Sequence, residues 1–229
     1  TLGLSAGVML YVSFVELFAD SRELFAVAWG SRGGSIGVAV FFFVGMAFIG
    51  IIDKLVPSFE NPHEMRSIET MDAAHRRKES HLHHLGIMTA LAIAIHNFPE
   101  GIATFMAAES NPTVGIAIAV AIALHNIPEG IAVSVPVYYA TGSRRKAFLY
   151  SLLSGLAEPL GALLAFAVLM PFINDVVLGA VLAAVAGIMV YISIDELLPA
   201  AREYGEPHIS IYGMVVGMMI MAASLIMLA

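Results

Sequence analysis

Residues 96–103 read HNFPEGIA and residues 125–132 read HNIPEGIA. Around them, 86–105 and 115–134 are identical at 13 of 20 aligned positions. Each copy sets a His, an Asn, a Pro and a Glu inside an otherwise apolar run. His and Glu are four residues apart, and Asn and Glu three, so all three side chains share one face of a helix. The Pro has no N–H to give the carbonyl four residues back, Ile95 in one copy and Leu124 in the other, so each helix is expected to break or bend there. In lipid a carbonyl freed this way is tolerated only against protein or a wet cavity.

The rest of the chain decides that lipid is the setting. Of 229 residues, 59% are hydrophobic and 13% charged, with a mean hydropathy of +0.86. A soluble domain carries about 25% charged residues. Seven apolar stretches recur, roughly 1–19, 34–56, 85–107, 113–140, 147–170, 176–199 and 208–229, each near the about 20 residues needed to span a bilayer. The expected fold is therefore an all-α, polytopic membrane helix bundle, a single transmembrane domain over 1–229. With no cysteine, disulfides and thiolate metal sites are excluded. No basic patch with interleaved aromatics points to nucleic acid. The chain opens at Thr1 directly in an apolar segment, without signal-peptide features, and an eighth span upstream is expected.

Orientation follows from the positive charges of the loops. Lys and Arg number 2 in the first, third and fifth loops, against 9 in the second, fourth and sixth, Lys54 included. The second set is expected in the cytoplasm. The two repeat copies lie on successive spans and run antiparallel, the pattern of an inverted repeat with Pro-interrupted helices around a midplane site. Two imidazoles, two amides and two carboxylates then face one point: His96, Asn97, Glu100, His125, Asn126 and Glu129. A lone Glu in a span costs several kcal/mol, so it must be paired, protonated or wetted. One such cluster reads equally well as polar glue between helices. Two matching clusters call for a divalent transition metal, which imidazole and carboxylate suit. Glu158, in SGLAEPLGA at 154–162, is a further mid-span acid before a Pro, read either as another ligand or as a paired structural acid.

These residues resemble the ZIP family of divalent metal transporters, most of all its bacterial members. The likeness rests on the two HNxPEG motifs, VPVYYATGSRRKA at 135–147 and SGLAEPLGA, and it extends over essentially the whole chain. The resemblance implies eight spans with both termini outside, and LGLSAGVMLYVSFVEL at 2–17 looks like the second of them. It also implies a binuclear site. His96, Glu100, His125 and Glu129 would hold one ion. Asn97, Asn126 and Glu158 would hold the other, with Glu100 and Glu129 bridging. Met9 matches a position where some members place a soft ligand, although a Met in a span is more often packing.

Two further features flank this site. Glu16 stands near the outer end of its span, and Asp195 and Glu196 near the cytoplasmic end of theirs. They read as steps for an arriving and a departing cation, or as interfacial acids. The long polar segment 57–84 carries His63, His75, His81, His83 and His84. It reads as a cytoplasmic loop that binds metal weakly, or as a plain linker.

Two function classes compete. The first is a secondary transporter moving divalent metal (zinc, with iron, manganese, cobalt and cadmium also compatible) into the cytoplasm across a bacterial inner membrane. Its expected partners are those ions, the lipid bilayer and a second copy of the chain. It has no prosthetic group, and no phosphate-binding Gly loop followed by Lys-Ser/Thr is present. The alternative is an intramembrane metal-dependent enzyme. That would want H-E-x-x-H, whereas here Asn follows each His and no third His or nucleophile accompanies them.

Overall fold

The computed structural model describes residues 2–55, 87, 90–91, 93–95, 97–98, 100–102, 104–105, 108, 112–172, 174–203 and 206–228. The His-bearing segment 57–84 lies outside the described residues. Regular structure among the described residues is helical throughout. The chain begins with α1 (Leu2–Val12), a π-turn (Ser13–Leu17) and α2 (Phe18–Leu55). After helical residues between 87 and 108 come α3 (Pro112–Thr141), α4 (Arg144–Gly155) and α5 (Ala157–Leu164). A second π-turn (Ala165–Leu169) follows α5. The last part holds α6 (Asp175–Ile192), a third π-turn (Ser193–Leu197), α7 (Leu198–Glu203) and α8 (Pro207–Leu228).

Four helical stretches among the described residues are long and apolar enough to cross a membrane: Leu2–Ile52, Arg144–Val168, Asp175–Leu197 and Pro207–Met227. The first is not a straight rod. Gly30 has φ 74°, a left-handed value that glycine reaches without steric cost. Beyond it the chain doubles back, so that Phe25 stacks on Phe41 at 5.6 Å and on Trp29 at 4.8 Å. In a straight helix, Phe25 and Phe41 would stand about 24 Å apart. Leu2–Ile52 is thus a hairpin with a polar tip at Ser31–Arg32. The other long helix, α3, has 30 residues, about 45 Å of rise, and it continues through Pro128.

Local chemistry sets the helix ends. Gly142, φ 63°, closes α3 in the left-handed cap conformation. Ser143 then starts α4 by accepting the Lys146 N–H at 3.3 Å. Asn174 starts α6 by accepting from Val176 and Val177 at 3.0 and 3.1 Å, the side-chain cap expected of Asn.

Small residues bring the helices close, as in membrane bundles generally. On α1 and α8, Gly7 lies against the Met214 carbonyl and Gly217 against that of Leu4. On α2 and α6, Gly45 lies against Ala184 and Gly187 against Phe42. The main core joins Met9, Val12, Ile49, Ala90, Ile93, Ala132, Val133, Ile188, Met189, Ile192 and Met221. It reaches from α1 and α6 to within a turn of both HNxPEG motifs. The outer surface is the reverse of a soluble one: Phe43, Phe48, Phe148, Leu163, Met219 and Met227 are all exposed. Monomeric soluble proteins rarely expose apolar area this extensively; a lipid-facing surface does.

Candidate metal site

Five of the seven expected ligands have described side chains, and they stand on three helical segments. Asn97 and Glu100, on the 87–108 segment, are buried to 2% and 4% exposure, and Glu129 on α3 to 2%. Asn126 on α3 and Glu158 on α5 are half-buried. His96 lies outside the described residues, and so does the side chain of His125. Among the described residues no three His, Asp or Glu side chains close into a metal cage by themselves.

Direct bonds tie the segments together. Asn126 Nδ2 donates to Glu158 Oε2 at 2.6 Å, linking α3 to α5. Asn97 Nδ2 donates to the Ser154 carbonyl at 3.3 Å, linking the 87–108 segment to the end of α4. That carbonyl lies at the junction where α4 stops at Gly155 and α5 starts at Ala157, and a side chain reaches it there. The backbones also meet. A Cβ on Gly101 would overlap the Glu158 carbonyl, and one on Gly161 would overlap that of Phe98. Glu100 and Glu158 are thereby held at one crossing by two reciprocal glycine contacts.

The bond from Asn126 has a chemical consequence. The amide end facing Glu158 is Nδ2, which donates to the carboxyl oxygen. Asn126 Oδ1 then points the other way, where it is buried and accepts no hydrogen bond among the described residues. A buried carbonyl oxygen without a donor is costly in a protein interior and is a neutral oxygen ligand for a cation. Glu100 and Glu129 are buried too, so the described side chains of the two motifs offer oxygen donors, to which the motif would add imidazole.

Ser151 was not singled out from the sequence. Its Oγ donates to the Gly130 carbonyl at 3.2 Å, and Ser154 Oγ donates to the Ser151 carbonyl at 2.9 Å. Together they brace α4 against the residue after Glu129. Ser three residues before another Ser in an apolar helix was the available signal, but small-residue packing explains that pattern equally well.

Comparison with known proteins gives the setting of this site. The family description "ZIP Zinc transporter" matches residues 54–225. A protein of Chlorobium limicola named zinc transporter ZupT is 62% identical over 228 residues, covering 100% of this chain and 85% of the relative. Proteins of the same name from Oceanobacillus iheyensis and Streptococcus mutans are 58% and 56% identical. They cover 100% and 99% of this chain, and 85% and 84% of their own lengths. With membrane-length apolar helices and buried acids between them, the chain belongs to the ZIP zinc transporter family and is a multi-pass membrane transporter of divalent metal ions, not an enzyme.

Proposed function

We propose that this transporter carries zinc inward, through a binuclear site made of His96, Asn97, Glu100, His125, Asn126, Glu129 and Glu158. The observation that carries the reading is the Asn126 amide. Glu158 fixes its donor end at 2.6 Å, and its buried oxygen is left without a hydrogen-bond donor among the described residues. His96, His125, Glu100 and Glu129 make a four-ligand set of the kind zinc accepts. The two Asn oxygens and Glu158 would serve the second ion, with Glu100 and Glu129 shared. Iron(II), manganese, cobalt and cadmium suit the same donors.

The seven described or expected spans belong to an eight-span bundle in a bacterial cell membrane, with 57–84 as a cytoplasmic loop. The HNxPEG helices are its inverted, antiparallel pair. The excess of Lys and Arg in alternate loops supports the second, fourth and sixth loops being inside. Glu16 then meets the arriving ion and Asp195 with Glu196 the departing one. No prosthetic group is needed, and the working unit is a homodimer.

Uptake of radiolabelled zinc, iron and manganese into proteoliposomes, compared side by side, tests the reading. Glu100→Ala and Glu129→Ala are each expected to abolish uptake while the protein still inserts. Wild-type uptake by either variant rules out the shared-carboxylate site.

A further inference from the structure

A second internal repeat lies outside the metal site. Residues 6–23 read AGVMLYVSFVELFADSRE and 186–203 read AGIMVYISIDELLPAARE, with nine identities in 18 positions. Both copies contain a π-turn at the same place, Ser13–Leu17 and Ser193–Leu197. In both, the leading Ser is fully buried and its Oγ donates to the Met four residues back. Ser13 reaches the Met9 carbonyl at 2.6 Å and Ser193 the Met189 carbonyl at 2.8 Å. In both, the same Ser carbonyl accepts from the N–H five residues on, that of Phe18 or Leu198.

These turns change which side chains go inside. A π-turn takes in one more residue than an α-turn, so everything after it is rotated by about 100°. In an unbroken α-helix the buried stripe Ser5, Met9, Val12 would continue through Glu16, Asp20 and Glu23. Instead Ser21 and Phe25 are fully buried, Asp20 and Glu23 are exposed and Glu16 is half-buried. The second copy makes the same shift. After Met189 and Ile192 the buried positions are Leu197 and Ala201, and Glu196 is half-buried. The remaining π-turn, Ala165–Leu169, starts with Ala and holds no acid. Each helix packs on the other's turn, α1 on Ser193–Leu197 and α6 on Ser13–Leu17. That pairing is antiparallel and sends the two glutamates toward opposite ends of the helix pair.

We propose that Ser13 and Ser193 are positioning residues of the transporter: their back-bonded hydroxyls stabilise the two π-turns and so keep Glu16 and Glu196 at the edge of the core instead of within it. A Ser hydroxyl on the carbonyl four residues back draws that carbonyl off the helix axis and bends the helix, which favours the wider turn that follows. The consequence for transport rests on the reading that these acids lie on the ion's path; the register itself does not.

The absence of cysteine makes single-Cys reporters clean. In proteoliposomes with otherwise wild-type sequence, Asp20→Cys should react with a membrane-impermeant maleimide and Ser21→Cys should not. Adding Ser13→Ala should reverse that pattern. The same Ser13→Ala change should lower the maximal zinc uptake rate about fivefold, the factor that one net hydrogen bond is worth. Equilibrium zinc binding to the purified protein should stay unchanged. Ser13→Thr keeps the back-bonding hydroxyl and should restore both labelling and rate. An unchanged labelling pattern in Ser13→Ala overturns the proposal, and so does a Thr variant no better than Ala. Glu16→Gln and Glu196→Gln separate the two readings. Full uptake by both removes these acids from the path, while a reversed pattern in Ser13→Ala still establishes the register role.

Discussion

Asn126 gives its N–H to a carboxylate and buries its oxygen without a donor among the described residues, so the two ends of its amide differ. Asn126→Asp removes that difference. Two carboxylates in hydrogen-bond contact cannot both ionise without a cation or a shared proton. The variant should therefore melt lower than wild type without metal and gain more from added zinc. Thermal unfolding in detergent, with and without zinc, reads both changes. Equal zinc protection of variant and wild type would mean that no cation sits at Asn126. At this scale the sequence was informative about residue types and faces. Asn97 and Glu100, three residues apart, are both buried, on one face as the i,i+3 spacing puts them. The bond from Asn97 to the Ser154 carbonyl was not legible, because it depends on where α4 ends and not on what residue 154 is.

Helices meet at the site through glycine, and the contacts differ enough to test separately. A methyl group on Gly101 would overlap the Glu158 carbonyl, whereas one on Gly155 meets nothing within 4 Å. Gly101→Ala should push α5 away and cost about 1–3 kcal/mol, as overpacking does. It should also weaken zinc binding, because Glu158 moves with its backbone. Gly155→Ala should leave binding alone and leave stability unchanged or raise it by up to about 1 kcal/mol. Melting temperature and zinc titration of the pair check this; equal losses in both would show that the crossing at Glu158 is not tight. Most helices were legible as apolar stretches, since hydropathy records length. The break at Gly30 could be placed only within the polar stretch between two such runs. The register change after Ser13 and Ser193 was not legible, because a one-residue insertion in a turn leaves hydropathy unaltered while moving Ser21 inside in place of Asp20.

For the whole molecule the direction of transport turns on the loops. Arg144, Arg145 and Lys146 stand exposed at the start of α4, and Asn174 stands exposed before α6. Between them Arg144–Val168 is a single apolar stretch of 25 residues, long enough to cross a bilayer core of about 30 Å. The two loops must then open on opposite sides. Under the proposed topology, in which positive charge is retained on the cytoplasmic side during insertion, Arg145 lies inside and Asn174 outside. In intact cells Asn174→Cys should react with an impermeant maleimide, and Ala28→Cys, exposed near the tip of the first hairpin, should react with it. Arg145→Cys should react only after the membrane is opened. Because the chain has no cysteine of its own, each signal belongs to one position. Labelling of Arg145→Cys in sealed cells with Asn174→Cys protected would invert the bundle. Glu16 would then lie on the inner side and Asp195 and Glu196 on the outer, and the same ligands would have to be read as a route out of the cell.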